Sequence, residues 1–122
     1  MLDGSNTAGA LGHAHPDMVE AVHRAAGHPA VSEGWAYRDR ELAAEELIDT
    51  AFADEKEWIG AVRFGLSGSE INDLALSLAQ AVTGRAPIAT RERSYHGLTG
   101  LSRDVTVQPH WHGGISRLTG GV

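Results

Sequence analysis

With 122 residues, 42% of them hydrophobic, the chain is long enough for at most one domain with a modest core. Its formal charge of −6 argues against nonspecific binding to nucleic acid or an anionic membrane. The absence of cysteine excludes disulfides and thiol catalysis and fits a reducing, cytoplasmic setting, and neither a membrane-length apolar run nor a charged-then-apolar leader is visible.

The first fifteen residues are small and glycine-rich and end in Gly12-His-Ala-His15. Pro16 suits the first position of a helix, and Val19, Val22 and Ala26 then share one face, with Ala25 beside them. This helix is predicted to end near Gly27, with Pro29 blocking any continuation. Residues 28–38, including Trp35 and Tyr37, read as a loop. A second helix is predicted over Asp39–Phe52. Its apolar stripe of Ala44, Leu47, Ile48 and Ala51 is thin, and Glu45, Glu46 and Asp49 face solvent. Ala61–Leu66 is a strand candidate. A strong helix follows over Ser69–Val82, carrying Leu74, Leu78 and Ala81 on one face with Ile71 and Ala75 adjoining, and Gly84 as its stop. Pro87–Glu92 is the second strand candidate, and irregular chain is expected beyond Ser94. Strand, helix and strand in succession predict a βαβ unit with a right-handed crossover. Two strands are too few for a covered parallel sheet. The expected class is therefore α/β, incomplete on its own.

Three groups of residues can carry chemistry. Ser67-Gly-Ser-Glu70 is a capping-box pattern directly after the first predicted strand. It reads either as a plain helix start or as an anion site. Gly68 lets a ligand approach the backbone, and free amides with the helix dipole favour phosphate. No Gly-Lys-Ser/Thr sequence supports a nucleoside triphosphate loop. Tyr95-His96-Gly97 places an aromatic and an imidazole beside a glycine. The ring either stacks on a flat ligand or is a packed tyrosine beside a surface histidine. His13-x-His15 and His110-x-His112 each bring two imidazoles to a two-residue spacing, but no third ligand stands at a matching distance, so loop residues are the preferred reading over a metal site. Lys56 is the chain's one lysine. It sits in the acidic turn Asp54-Glu-Lys-Glu57, a setting suited to a solvated charge rather than to nucleophilic chemistry.

Taken in chain order, four motifs resemble one family. Leu11-Gly-His-Ala-His-Pro16 is similar to a Leu-Gly-His-x-His-Pro element. Phe64–Asp73 resembles a strand followed by Ser-Gly-Ser/Thr-Glu-Ala-Asn-Glu. Ser77–Arg85 keeps Ala79 and Thr83-Gly84-Arg85 of an Arg-x-Ala-Arg-x-x-Thr-Gly-Arg stretch, and Tyr95-His-Gly97 matches Tyr-His-Gly. These are motifs of the class III aminotransferases, pyridoxal-phosphate enzymes of fold type I, and the resemblance runs over essentially the whole chain. It implies part of a three-layer large domain with a mostly parallel sheet, residues 1–122 being its N-terminal portion with no second domain.

Carried over residue by residue, Ser67, Gly68 and Ser69 would form the cup for the phosphate of pyridoxal 5′-phosphate. Tyr95 would stack on its ring, and His96 and Gly97 would shape that loop. Glu70 and Asn72 would be motif positions near the cofactor, Asn72 mainly structural. Ile71 stands where alanine is usual and needs extra room, Asp73 stands where glutamate is frequent, and Ser77 and Gln80 replace two arginines. The family's lysine for covalent catalysis, its aspartate for the pyridine nitrogen and its small domain would lie beyond Val122, and an upstream segment would precede Met1. The resemblance thus implies a subunit or fragment of a split enzyme, completed by a second chain in a higher oligomer, that moves amino groups between an amine or amino acid and a keto acid or aldehyde. A truncated domain that binds a partner without turnover is the alternative, and a metal-binding module a weaker third.

Overall fold

A computed structural model of the chain describes residues 10–28, 38–108 and 110. The chain divides into two compact units, Met1–Gly60 and Ala61–Val122. The predicted loop containing Trp35 and Tyr37 lies outside the described residues, as does His112.

In the first unit, Gly12 and Ala14 take left-handed conformations (φ 83° and 52°) and turn the backbone into helix α1, Pro16–Ala26. Pro16 occupies the first turn, where its missing N–H costs nothing, and Asp17 lies at the positive end of the helix dipole. Gly27 closes α1 in a right-handed conformation, its amide reaching Arg24 O at 3.1 Å. Helix α2 spans Arg38–Thr50 and is followed by a 3₁₀ turn, Ala53–Glu55. The Thr50 hydroxyl donates back to Glu46 O at 2.6 Å, and Phe52 N bonds Leu47 O at 3.1 Å. The regular helix therefore stops before the predicted end at Phe52.

The second unit is built on helix α3, Gly68–Thr83. Its stop is as predicted: Gly84 is left-handed (φ 67°) and its amide bonds Gln80 O. A short helix α4, Gly100–Asp104, follows where irregular chain was expected. It starts from a reciprocal capping box between Thr99 and Ser102. Among the described residues of this unit, Val105 is the buried hydrophobic side chain (3% exposed), and Ser102, Asp104 and Thr106 are fully buried around it. Burying one valine contributes roughly 1.5–3 kcal/mol, little against an ordering cost of about 1–2 kcal/mol per residue. Neither α1 nor α3 buries a residue. Met18, Val19 and Val22 on α1, and Leu74, Leu78 and Val82 on α3, are all exposed.

The expected three-layer, mostly parallel sheet is overturned for the described residues. No strand occurs among them. Ala61–Leu66 and Pro87–Glu92 take irregular conformations, and no backbone hydrogen bond joins one to the other. A strand is half of a ladder and forms only where a neighbour supplies the other half. Here the backbone groups near the second segment are taken by side chains instead. Gln80 Nε2 donates to Ala86 O at 2.5 Å and Gln108 Nε2 to Arg93 O at 2.6 Å. The βαβ unit keeps its helix and lacks its strands.

Candidate functional site

Ser67 is extended (φ −153°, ψ 157°), and its hydroxyl accepts the amide of Glu70 at 3.2 Å. Glu70 does not close the predicted box onto Ser67. Its Oε2 accepts from Leu66 N, one residue earlier, at 2.7 Å. The amides of Gly68 and Ser69, the first two of α3, make no hydrogen bond among the described residues. A Cβ placed on Gly68 would meet nothing within 4 Å. The helix thus begins with two free donors, an open approach and the positive end of its dipole, a set that suits an anion.

The Tyr95-His96-Gly97 segment is brought directly against this helix start. Asn72 Nδ2 donates to His96 O at 2.7 Å, and Leu98 N donates to Ser69 Oγ at 3.3 Å. Gly97 is buried at φ +131°, and a Cβ there would lie 2.5 Å from Ser69 Oγ and 2.7 Å from Ser69 Cα. Only glycine allows this approach. From the other side, the buried Thr106 hydroxyl accepts His96 N at 2.9 Å and lies 2.8 Å from Gly97 O and 2.9 Å from Ser102 O. Tyr95 is 50% exposed.

His96 Nε2 lies 3.2 Å from Thr90 Oγ1, which is also within reach of Ser94 Oγ and Val105 O. Ser94 Oγ reaches Val105 O as well, at 3.1 Å. With the ring proton on Nε2 these contacts hold three hydrogen bonds; without it they hold two. A crevice behind this network, lined by Asn72, Leu76, Ile88, Thr90, His96 and Val105, measures about 140 Å³. That is below the roughly 300–1,000 Å³ of small-molecule sites.

Of the predicted residues, Ser67, Gly68, Ser69, Tyr95, His96 and Gly97 therefore meet in one unit. Ile71 finds its extra room over Gly65, where a Cβ would stand 2.5 Å from Ile71 Cδ1. Ser102, Thr106, Thr90 and Asp73 were not singled out as site residues. Thr99-x-x-Ser102 carries a recognisable capping pattern, but the others give no local signal. In the first unit, Lys56 Nζ pairs with Asp49 at 2.7 Å, and the Leu11–Pro16 motif lines an apolar groove of about 530 Å³ with Met18, Val19 and Val22. His15 Nδ1 is buried without a hydrogen bond, with Asp17 Oδ2 4.0 Å away. Among the described residues no three ligating side chains converge as a metal site would require, and no helix is long and apolar enough to cross a membrane.

The family model for class III aminotransferases matches residues 2–122. The chain belongs to the class III aminotransferase family. Among its curated relatives are acetylornithine aminotransferases from Listeria monocytogenes (36% identical over 112 residues, covering 91% of this chain and 27% of the relative), Mycobacterium leprae (34% identical, covering 99% and 29%) and Neisseria meningitidis (32% identical, covering 99% and 31%). The chain spans less than a third of the length of these class III relatives. No solved structure matches it significantly.

Proposed function

We propose that residues 1–122 are the N-terminal portion of the cofactor-binding large domain of a pyridoxal-phosphate-dependent aminotransferase. The observation that carries this reading is the junction of two family motifs. The Ser67–Asn72 helix start and the Tyr95–Gly97 loop are held together by the Asn72–His96 and Ser69–Leu98 hydrogen bonds. The donor set fits the cofactor. Gly68 and Ser69 offer amides to its phosphate, Gly68 leaves room for the phosphate oxygens, and the half-exposed Tyr95 is the aromatic residue suited to stack on its pyridine.

When bound, pyridoxal phosphate supplies the electron sink for moving an amino group between an amine or amino acid and a keto acid or aldehyde. The chain's residues bind and orient it. Lys56, paired with Asp49, is not the lysine of the family's covalent chemistry; that lysine and the aspartate facing the pyridine nitrogen belong to the remainder of the fold. The uncovered apolar faces of α1 and α3 are what a core completed by that remainder would bury.

The test uses the assembled protein, this chain together with the remainder of its fold whether in one polypeptide or two. Titration with pyridoxal phosphate, followed by visible absorption, is expected to show stoichiometric binding. Acetylornithine, named in the matched relatives, is the first amino donor to try. An assembled protein that binds no cofactor overturns the reading and favours a partner-binding domain without turnover.

A further inference from the structure

Ser69, Asn72 and Asp73 stand at i, i+3 and i+4 on α3 and so share one face. All three reach the same stretch of chain. Ser69 Oγ accepts from Leu98 N at 3.3 Å, Asn72 Nδ2 donates to His96 O at 2.7 Å, and Asp73 Oδ1 accepts from Leu101 N at 2.6 Å. Leu101 is the second residue of α4, so Asp73 caps that helix from outside, beside the local Thr99–Ser102 box. The fit is tight. Gly100 is left-handed (φ +35°), and a Cβ on it would lie 2.5 and 2.6 Å from the Asp73 carboxylate oxygens. A glutamate at position 73, frequent in the family, would bring a further methylene into space the shorter carboxylate already fills.

We propose that Asn72 and Asp73 are positioning residues: together they clasp the segment from His96 to Leu101 onto α3, and the clasp sets where the Tyr95 ring stands relative to the free amides of Gly68 and Ser69. Ser69 alone cannot do this. Its hydroxyl holds one amide in the middle of the segment, whereas Asn72 and Asp73 hold its two ends. The proposal rests on the cofactor reading for its functional meaning, but the geometry it claims exists without cofactor.

The test separates the two. The assembled protein is labelled with 3-fluorotyrosine in a Tyr37→Phe background, so that Tyr95 gives this chain's one fluorine resonance; tyrosines of the remainder are assigned by leaving that part unlabelled or replacing them. Asn72→Ala, Asp73→Ala and the milder Asp73→Asn are compared with Ser77→Ala on the same helix. In the absence of cofactor, the first two are expected to shift or broaden the Tyr95 resonance, Asp73→Asn to do so less because one acceptor oxygen remains, and Ser77→Ala not at all. Losing one clasp hydrogen bond is expected to raise the dissociation constant for pyridoxal phosphate about 5- to 50-fold, with the melting temperature of Asp73→Asn close to the parent's. A Tyr95 resonance unchanged in folded Asn72→Ala and Asp73→Asn overturns the clasp. If Asp73→Ala does not fold, those two variants still decide the matter. A perturbed resonance in a protein whose parent binds no cofactor upholds the clasp and overturns the cofactor reading instead.

Discussion

Gly97→Ala concentrates the largest expected damage in one methyl group. The added Cβ would lie 2.5 Å from Ser69 Oγ, 2.7 Å from Ser102 Oγ and 2.7 Å from Ser69 Cα, at a φ of +131°. A hydroxyl can rotate away; a helix Cα cannot. The backbone conformation costs an alanine about 1–3 kcal/mol, and overpacking a closed contact a further 1–3 kcal/mol or so. The sum, roughly 2–6 kcal/mol, is a large fraction of the 5–15 kcal/mol that typically separates native from unfolded protein. Urea unfolding of the assembled protein measures the loss, and hydrogen exchange at the Leu98 amide, which donates to Ser69 Oγ, shows whether the opening is local. Gly68→Ala is the control, since nothing stands within 4 Å of its Cβ; its stability is expected to match the parent's or exceed it slightly. Adding Ser69→Gly to Gly97→Ala should recover only the hydroxyl overlap, because the α-carbon stays in place. A Gly97→Ala protein within about 0.5 kcal/mol of the parent, the spread of innocuous surface changes, would refute the close packing of this loop on α3.

Gly65→Ala is expected to destabilise by about 1 kcal/mol through contact with the Ile71 side chain, 2.5 Å from its Cβ, and a double-mutant cycle with Ile71→Ala should show coupling of roughly 0.5–2 kcal/mol; strict additivity would contradict the pairing. Lys56 is expected to stay unmodified when the isolated chain is mixed with pyridoxal phosphate and reduced with borohydride, given its ion pair with Asp49; a stoichiometric adduct there by peptide mapping would reverse the assignment. Without the remainder of the fold, the chain should self-associate or bind a hydrophobic dye, because Leu74, Leu78 and Val82 lie uncovered; a monodisperse monomer with cooperative unfolding in sedimentation and melting experiments would show that the exposed faces need no cover.

The helices were legible because their signals are local. Periodic apolar residues, Pro16 at the first turn and Gly84 past the last give both type and bounds of α1 and α3. Periodicity does not say whether an apolar face is covered, and on these two helices it is not. The strands were misread because alternation describes one half of a ladder whose other half the described residues do not provide. Helix α4 escaped notice because five residues hold little more than one turn, too short for any period, and only the Thr99–Ser102 spacing marks it. The meeting of the two motifs was suggested by family resemblance alone. Its physical basis depends on pairs 24 to 29 residues apart, Asn72 with His96, Asp73 with Leu101 and Ser69 with Leu98, which no local pattern announces. Glu70 shows the finer limit: the capping pattern was read correctly, but its carboxylate chose the amide of Leu66 over that of Ser67.

The account stands most directly on the cofactor affinity of Gly68→Val in the assembled protein. The substitution adds carbon where the phosphate oxygens are expected, and its Cβ meets nothing within 4 Å beyond the local backbone; a melting curve alongside the titration separates lost binding from lost fold. Losing one charge-assisted hydrogen bond, at about 1.5–3 kcal/mol, weakens binding by roughly one to two orders of magnitude. Tyr95→Ala, which removes a stacking surface, should cost less, about 0.5–1.5 kcal/mol. Dissociation constants for pyridoxal phosphate in the order parent, Tyr95→Ala, Gly68→Val, from tightest to weakest, are what the account predicts. A Gly68→Val protein that binds the cofactor as tightly as the parent would contradict it, leaving Ser67–Glu70 a capped helix start and no more.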